Sequence, residues 1–347
     1  MKSANKIYVF LVIIVTVLIL IYAQSIIIPF ILAFIVWSVI RVIKNQLLKI
    51  KFVTRLPRWL VTIFSSLLLL GFLAFGIEMI SKNISQLSAT LPVYQENVNK
   101  ITEAINTKFN IDIQSIISTQ FKSFNFPRIL SGIFGALTGI FGSAFTVVLY
   151  LIFILLEEPL FPQKIKAMYP DEKRYKSVSK MINKIDHSIS NYIALKTVIS
   201  ILTGFLSYFA LIIIGVDAPF FWAFLIFVLN YIPTIGSLIA TTFPAIFAML
   251  QFGDFTHGLL VLAIVGVIQL VIGNFVEPRL MGNSLNISPL VVLLTLAVWG
   301  LMWGITGMLL SVPITVIIII ILSEFPATQP IAVLLSHTGK LNTDKID

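Results

Sequence analysis

Four ionisable residues stand isolated in the apolar carboxyl-terminal half of this 347-residue chain. They are Asp217, Asp254, Glu277 and Arg279, and no other Asp, Glu, Lys or Arg occurs from Thr197 to Ser323. Burying a charge among apolar residues is costly, so a buried charge is retained where it pairs or moves a proton or ion. Glu277, with Arg279 two residues on, is therefore the first candidate for a proton-carrying residue. Asp217 and Asp254 fall in predicted turns, where exposure to water explains their charge without a functional role.

Two segments rich in Asn, Pro and Gly interrupt the apolar runs around these charges. They contain the candidate binding residues Asn230, Pro233, Thr234 and Gly236 in the first segment, and Asn274, Glu277, Pro278, Arg279 and Gly282 in the second, followed by Asn286 and Pro289. Pro lacks an amide donor and Gly adopts unusual backbone angles, so each segment predicts a broken or kinked helix. The Asn side chains and Thr234 offer hydrogen bonds at these breaks. Plain kinks without ligand contact are the alternative.

Motifs of nucleotide, metal and nucleophile chemistry are missing from the sequence. It contains no G-x-x-x-x-G-K-[ST] phosphate loop, no H-E-x-x-H zinc motif and no G-x-S-x-G elbow. The three histidines are scattered and there is no cysteine. Gly253-Asp254 and Glu157-Glu158 bear only a faint likeness to intramembrane protease motifs. The sequence therefore predicts a protein that is not an enzyme and uses no metal or cofactor.

The composition indicates a membrane protein. Apolar residues make up 58% of the chain and charged residues 11%, whereas soluble domains carry about 25% charged residues. Several apolar runs exceed the roughly 18 to 20 residues that cross the hydrocarbon layer. The predicted fold is all-α and polytopic, with broken or re-entrant segments in the carboxyl-terminal half. Basic residues in the loops that flank the spans explain the formal charge of +9 better than binding to nucleic acid does.

The amino-terminal spans carry the orientation signal. Apolar runs at 7–22 and 26–40 predict an uncleaved helical hairpin rather than a signal peptide, with Pro29 at or just after its turn. Residues 41–58 contain six basic residues and no acidic one, so this loop is predicted to face the cytoplasm. Spans at 59–80 and 130–156 then place the segment between them outside.

That outer segment carries a regular apolar stripe. Its members are Ile84, Leu87, Leu91, Tyr94, Val98, Ile101 and Ile105, and the part from Leu91 onward is the candidate oligomerisation stripe. Spacings of three and four place them on one helix face. The stripe contacts either another subunit, or the same chain or the membrane surface. Pro92 predicts a bend between two helices, the second capped by Thr90. A second amphipathic helix, at 173–192, is predicted to lie along the cytoplasmic membrane surface.

Polarity and helix breaks divide the chain into five segments. They are a three-helix membrane segment at 1–80, an extracytoplasmic amphipathic segment at 81–130, a membrane helix with a cytoplasmic amphipathic helix at 131–192, a carboxyl-terminal core at 193–325 and a cytoplasmic tail at 326–347. Residues 290–322 exceed one span and include Gly300, Gly304, Gly307 and Pro313. This stretch is either a re-entrant segment plus one helix or one long bent helix.

Several spaced motifs together resemble the autoinducer-2 exporter (AI-2E) family of bacterial transporters. They are Asn230-Tyr231-Ile232-Pro233 with Gly236; Gly273-Asn274 with Glu277-Pro278-Arg279 and Met281-Gly282; Pro289-Leu290-Val291-Val292; Trp299-Gly300; the run from Gly307 to Pro313; and the tail at 331–336. The resemblance implies about eight transmembrane helices and a ring-like, pentameric homo-oligomer in the bacterial cytoplasmic (inner) membrane. It also implies export of a small polar quorum-sensing signal. The family often has Pro after the Gly that matches Gly304, but Ile305 stands here, which puts the expected bend in doubt.

Three functions follow as hypotheses. The first is a secondary transporter that exports autoinducer-2 or a related small metabolite, coupled to protons or another ion, through residues of the two breaks. The second is a sodium(lithium)/proton antiporter on the same framework, against which the scarcity of acidic residues counts. The third is a non-transporting membrane scaffold whose outer stripe binds a partner.

Overall fold

The chain folds into helices throughout the parts described by a computed structural model, which are residues 2–109, 144–281 and 286–339. The helices are α1 (Lys2–Tyr22), α2 (Gln24–Leu47), α3 (Arg58–Phe109), α4 (Ala144–Glu157), α5 (Phe161–Met168), α6 (Glu172–Ile214), α7 (Pro219–Leu229), α8 (Ile235–Phe252), α9 (Phe255–Val271), α10 (Glu277–Met281), α11 (Pro289–Glu324) and α12 (Gln329–Leu335). Within these ranges, seven helical stretches are long and apolar enough to cross a membrane. The predicted all-α, polytopic membrane fold is confirmed.

The chain divides into two compact units. Unit one contains residues 1–65, 139–194 and 283–347, and unit two contains residues 66–138 and 195–282. Each unit is assembled from stretches that are distant in the sequence. Helices α3 and α6 contribute residues to both units. The amino-terminal part of the predicted span at 130–156, together with Gly282, lies outside the described residues.

A single residue, Ala23, separates α1 from α2 in unit one. Its backbone angles (φ −93°, ψ 13°) are near helical values. Hydrogen bonds from Ala23 N to Ile19 O (2.8 Å) and from Ile27 N to Ala23 O (2.9 Å) continue the helical pattern through it. The chain therefore bends here without reversing, and the predicted hairpin is wrong. A hairpin needs several non-helical residues, and the sequence supplies no turn between these two apolar runs.

Helices α3 and α6 are much longer than one membrane span. Helix α3 has 52 residues, or about 78 Å at 1.5 Å per residue, and it passes through Pro92 without ending. The predicted pair of helices at Pro92 is wrong, because losing one backbone hydrogen bond does not end a helix that is anchored elsewhere. Helix α6 joins the predicted surface helix at 173–192 to the following span. Its apolar residues Ile189 and Tyr192 are buried in protein rather than in lipid.

A tight turn joins α7 to α8 in unit two. Thr234 has φ 60° and ψ −58°, and Ile235 N donates to Pro233 O at 2.6 Å, which together define a γ-turn of the rarer, strained hand. The two helices run back along each other, with the Trp222 and Phe247 rings 4.9 Å apart. Helix α7 has only 11 residues, about 17 Å, so it cannot cross a membrane alone. The first predicted break is confirmed.

Close approach of the backbone at this turn requires a glycine. A Cβ at Gly236 would lie 1.8 Å from the Leu229 carbonyl oxygen. Any larger residue would push the first turn of α8 away from the end of α7.

The same construction occurs in unit one, within α11. Gly304 has φ 62° and ψ −142°, a conformation that is essentially restricted to glycine. A Cβ at Gly307 would lie 1.9 Å from the Trp299 carbonyl oxygen, so the residues on either side of Gly304 face each other. The stretch is therefore a helical hairpin with arms at 289–303 and 305–324. Of the two predicted alternatives, this reversal fits a re-entrant segment plus one helix and does not fit one long bent helix. Ile305 in place of Pro does not remove the bend.

The α11 hairpin contributes a buried apolar cluster to unit one. Trp299, Trp303 and Leu310 are buried there, and apolar residues of α1 and α2 cover them. The Trp303 indole donates to the Leu20 carbonyl beside the Ala23 bend at 2.9 Å. This contact joins two elements that are about 280 residues apart in the chain.

The second predicted break is an irregularity within a helix and not a reversal of the chain, as far as Met281, where the described residues of this stretch end. Residues Ile272–Val276 form a π-helical turn that leads directly into α10. Pro278 directly follows the π turn, at the second position of α10. A π turn holds one additional residue without ending the helix. The structural counterpart of the α7–α8 turn is therefore the α11 hairpin, and not the segment at 274–282.

Candidate functional site

A buried ion pair lies at the centre of the polar contacts in unit two. Lys196 Nζ, on α6, donates to Glu277 Oε1, on α10, at 2.5 Å. The Lys196 side chain is 5% exposed and that of Glu277 is 24% exposed. Lys196 lies in α6 and Glu277 in the continuous helical stretch Phe255–Met281, and both stretches are long and apolar enough to cross a membrane. An ion pair in this setting needs close geometry to offset the loss of hydration.

Two further hydrogen bonds connect the same side of α6 to the α7–α8 turn. Asn230 Nδ2 donates to Ser200 Oγ at 3.1 Å, and the hydroxyls of Thr197 and Tyr231 lie 2.7 Å apart. Ser200 is one helical turn beyond Lys196, so these contacts and the ion pair are neighbours along α6. The pair, the two hydrogen bonds and the turn together are called the α6 polar cluster below.

Buried polar residues continue along α6 away from the cluster. Thr203 and Ser207 are fully buried, and with Lys196 and Ser200 they recur at helical spacing on one face. Thr203 donates to the Ile199 carbonyl at 2.8 Å. Three buried polar atoms have no hydrogen-bond partner among the described residues, namely Ser207 Oγ, Trp222 Nε1 and Gln269 Nε2. Unit two thus contains both satisfied and unsatisfied polar groups in its apolar interior.

The structure brings together some of the predicted site residues of unit two and not others. Asn230 and Glu277 join the α6 polar cluster, and Gly236 forms the close contact at the turn. Thr234, Asn274, Pro278 and Arg279 are exposed, whereas Pro233 is partly buried. The sequence pattern pointed to Arg279 as the neighbour of Glu277, but Lys196 is the cation that Glu277 contacts. Helical geometry explains this, because residues two apart point to different sides.

Asn286 and Pro289 belong to unit one. Asn286 Oδ1 accepts hydrogen bonds from Thr338 N (3.3 Å) and Thr338 Oγ1 (3.1 Å), and the Asn286 carbonyl accepts from His337 N (3.2 Å). These contacts attach the chain after α12 to the segment before α11. Pro289 is the first residue of α11 and is exposed. Asn286 therefore has a structural role in unit one.

The outer stripe contacts its own chain at Tyr94. This residue is 4% exposed, its hydroxyl donates to Asp217 Oδ2 at 2.8 Å, and its ring packs edge-on against Phe247. Asn97, one turn on, donates to the Leu250 and Gln251 carbonyls. Tyr94 is thus covered within unit two. The side chains of Leu91, Val98 and Ile105 lie outside the described residues, and Ile101 is partly buried.

The acidic pair at the end of α4 forms structural contacts in unit one. Glu158 accepts from the Trp37 indole at 2.8 Å and lies 3.6 Å from Arg41. Arg41 also pairs with Asp186 at 2.7 Å, and Glu157 pairs with Lys164. These contacts fit the interpretation of Glu157-Glu158 as a charged helix end rather than a protease motif.

The sequence analysis missed Lys196 and Gln269. Lys196 stands just before the apolar run of α6, where a basic residue is usually a sign of a span's end. Its burial becomes clear only in the structure, where α6 begins nearly seven turns before Lys196. Gln269 is a lone polar residue within an apolar run, and an unpaired amide inside a membrane segment was the available signal.

The described residues include no group of three or more His, Cys, Asp or Glu side chains placed to hold a metal ion. What they contain is a multi-pass helical bundle with two broken-helix hairpins and a buried polar cluster. That arrangement is typical of membrane transporters, in which broken helices provide polar contacts at membrane depth.

The comparisons with known proteins also indicate a membrane transporter. The profile described as AI-2E family transporter matches residues 8–327, and the chain belongs to this family. It is 36% identical to the AI-2 transport protein TqsA of Escherichia coli K12 over 92% of each chain. It is 31% identical to a protein of Haemophilus influenzae over 90% of each chain, and 32% identical to one of Borreliella burgdorferi over 75% of this chain and 72% of that one. Those two are provisionally named as transport proteins, without a substrate.

Proposed function

We propose that this membrane transporter exports autoinducer-2 or a related small hydroxylated metabolite across the bacterial cytoplasmic membrane. The similarity to a protein named for AI-2 transport extends over 92% of both chains, which supports the choice of substrate. The observation that carries the mechanism is the Lys196–Glu277 pair beside the α7–α8 turn.

The ion pair offers a route to energy coupling. Glu277 has one carboxylate oxygen bound to Lys196, and its side chain is still 24% exposed. The carboxylate can therefore take up a proton or accept a hydrogen bond from a substrate hydroxyl. Protonation of Glu277 would neutralise the carboxylate and release Lys196, changing how α10 is held to α6. Coupling arises if the substrate binds one of these two states more tightly than the other.

The experiment is autoinducer-2 flux in proteoliposomes, with and without an imposed pH gradient. We expect gradient-driven flux for the wild-type protein and its loss in Glu277→Gln, which cannot take up a proton. Glu78→Gln is the matched control, because Glu78 pairs with Lys82 on an exposed surface of α3. The double variant Lys196→Met with Glu277→Gln removes both charges and shows whether lost flux reflects lost coupling or an unpaired lysine.

A sodium/proton antiporter is the second candidate, and Glu277 is the residue that favours it, since a cation needs a carboxylate at depth. Lys196 already occupies that carboxylate, which is why we place export first. A sodium-dependent pH change in the same vesicles would reverse this order. Absence of both fluxes from a correctly assembled protein would favour the scaffold hypothesis.

A further inference from the structure

The connection between α2 and α3 in unit one exposes basic and apolar side chains together. It is called the α2–α3 loop below and includes residues 48–57 and the first two residues of α3. From residue 49 to residue 59, every residue except Val53 is exposed. Phe52 is 76% exposed and Trp59 is 62% exposed. Large apolar groups that are exposed beside basic ones are typical of a surface that meets a membrane.

Backbone hydrogen bonds hold the α2–α3 loop in a series of turns. Ile50 N donates to Leu47 O at 3.0 Å, and Val53 N donates to Ile50 O at 2.9 Å. Leu56 N donates to Val53 O at 3.0 Å, and Pro57 then leads into α3. These bonds use main-chain groups only. The loop therefore has a fixed shape, and its basic side chains take no part in holding it.

The basic side chains of the loop have no acidic partner. Lys49, Lys51, Arg55 and Arg58 are exposed, and none of them forms an ion pair in the part of the chain that the structure describes. Residues 48–59 also contain no acidic residue. Elsewhere in unit one, by contrast, Arg41 pairs with Asp186 at 2.7 Å. The loop thus presents positive charge that its own unit leaves unpaired.

Two spans place the α2–α3 loop at the membrane surface. Helix α2 and the stretch Arg58–Gly76 are each long and apolar enough to cross a membrane, and the loop joins them directly. Trp59 is the second residue of that stretch, and indole rings concentrate at the headgroup level. Lys and Arg side chains extend their charged ends into the same layer. The anions present at this level are the phosphate groups of lipids.

A segment with exposed basic charge alone occurs at the start of α6, also in unit one. Lys173 and Lys180 are exposed there, whereas Val178 and Met181 are partly buried. Every exposed residue from 172 to 184 is polar. This segment has the positive charge of the α2–α3 loop without its exposed apolar groups, so it serves as a charge-matched control.

We propose that the α2–α3 loop is a binding surface for acidic phospholipids. Its basic side chains bind the headgroup phosphates, while Phe52 and Trp59 extend into the glycerol and upper acyl region. A zwitterionic phospholipid offers the same apolar contact without a net negative charge, so the surface selects acidic headgroups. Bound lipid then stabilises the junction between two spans of unit one. The proposal does not depend on the exported solute, because the α6 polar cluster lies in unit two.

The test measures lipid binding as the rise in unfolding temperature of the detergent-purified, full-length protein. Phosphatidylglycerol is the acidic probe, and phosphatidylcholine and inorganic phosphate are the comparisons. We expect a rise with phosphatidylglycerol and none with the other two. The rise should diminish between about 0.05 M and about 0.5 M NaCl, because salt screens exposed charges.

Two variants separate the charge from the apolar contact. Lys51→Gln with Arg55→Gln should require on the order of tenfold more phosphatidylglycerol for the same rise. This variant keeps the other basic residues of the loop, which preserves the signal for its orientation. Phe52→Ser keeps every charge and should also weaken the response, because a lipid offers an apolar region that a soluble anion lacks. Lys173→Gln with Lys180→Gln removes two charges elsewhere and should respond like the wild-type protein.

The salt dependence of the wild-type protein tests the proposal even where a variant folds poorly. A rise with phosphatidylglycerol that is insensitive to salt, or an equal rise with phosphatidylcholine, would overturn it. An equal rise with inorganic phosphate would replace the lipid with a soluble anion. Equal losses in the loop variant and the α6 control would show that overall charge, and not this loop, attracts the lipid. A changed subunit number with an unchanged lipid response would assign the loop to a second copy of the chain.

Discussion

The Lys196–Glu277 pair is costly to keep and costly to break. A charged pair inside an apolar bundle gives up hydration on both sides, and replacing the whole pair with neutral groups is often harmless. Removing one partner leaves the other charge buried alone. We therefore expect each single variant to lose more stability than the double variant.

Lys196→Met and Glu277→Gln should each lower the free energy of unfolding substantially. The loss approaches the roughly 3 to 5 kcal/mol found when a buried pair loses one partner, reduced because Glu277 is 24% exposed. The double variant should recover more than half of the larger loss. Unfolding temperatures of the purified proteins measure this.

The exposed pair of Glu78 and Lys82 is the control, with side chains 65% and 69% exposed. Removing either of its charges should change stability by no more than about 0.5 kcal/mol. Additive losses in the double variant at Lys196 and Glu277 would show that the two side chains do not act as a pair.

Asp254 makes a pH-dependent contribution at the start of α9. Its Oδ1 accepts from the His257 backbone amide at 2.9 Å, and its Oδ2 lies 2.7 Å from His257 Nδ1. The backbone hydrogen bond, followed by the His257 side chain, lowers the pKa of the carboxyl below its usual value. A lowered folded-state pKa means that the contribution is present above about pH 3.9, the unfolded value, and is lost as the pH falls through the folded value.

Asp254→Ala should therefore cost about 1 kcal/mol at pH 7, the usual effect of removing a helix cap. The deficit should shrink as the pH is lowered below about 4. Asp254→Asn keeps the cap without the charge, so its deficit at pH 7 should be smaller and should approach zero as the wild-type carboxyl is protonated at low pH. Thermal unfolding in detergent at a series of pH values gives both curves, and a pH-independent deficit in the alanine variant would argue against an ionised cap.

At the scale of the element, Gly304 is the residue on which the α11 hairpin depends. Its Cβ position has nothing within 4 Å, so substitution meets no neighbour and acts only through the backbone. Gly304→Ala must hold φ near 62° and should destabilise the protein by about 1 to 3 kcal/mol. Gly71 also has nothing within 4 Å but lies inside α3 with ordinary helical angles. Gly71→Ala should be neutral or stabilise by up to about 1 kcal/mol.

These paired unfolding measurements separate backbone strain from packing. Equal effects of the two alanine variants would mean that the chain passes Gly304 without reversing. A second sign of the reversal would be cross-linking of cysteines introduced at positions 300 and 308, because the Gly300 Cβ position lies 2.9 Å from Met308 Cε.

Elements with strong local signals could be predicted, and those set by tertiary packing could not. The Asn230–Gly236 break was predicted from Pro233 and Gly236 because those residues act on their own backbone. Pro92 gave the same signal but was misleading, because Tyr94 and Asn97 contact other residues of the same unit, Asp217 and Leu250, and hold α3 intact across the proline. In the site, Glu277 was found as an isolated charge. Lys196 was hidden because its burial depends on a helix partner 81 residues away.

At the scale of the whole molecule, each of the five segments predicted from polarity is one continuous range of the sequence, whereas each compact unit combines several separate ranges. Residues 283–347 join residues 1–65 in unit one, and the middle stretches of the chain fill unit two. The Trp303–Leu20 hydrogen bond is one of the long-range contacts responsible. Local hydropathy contains no information about which distant helices pair, so this division required the structure.

The orientation of the molecule in the membrane can be tested directly, because the chain contains no cysteine and needs no background removed. The basic loop at 41–58 should be cytoplasmic by the positive-inside rule, which places the part of α3 beyond its span outside and the start of α6 inside. Single cysteines at the exposed positions Lys49, Lys82 and Lys173 report on these three regions. In intact cells, a membrane-impermeant maleimide should label Lys82→Cys and spare the other two, which should react after permeabilisation. Labelling of Lys49→Cys in intact cells would show that the molecule has the opposite orientation in the membrane, and the export proposed above would then run in the wrong direction.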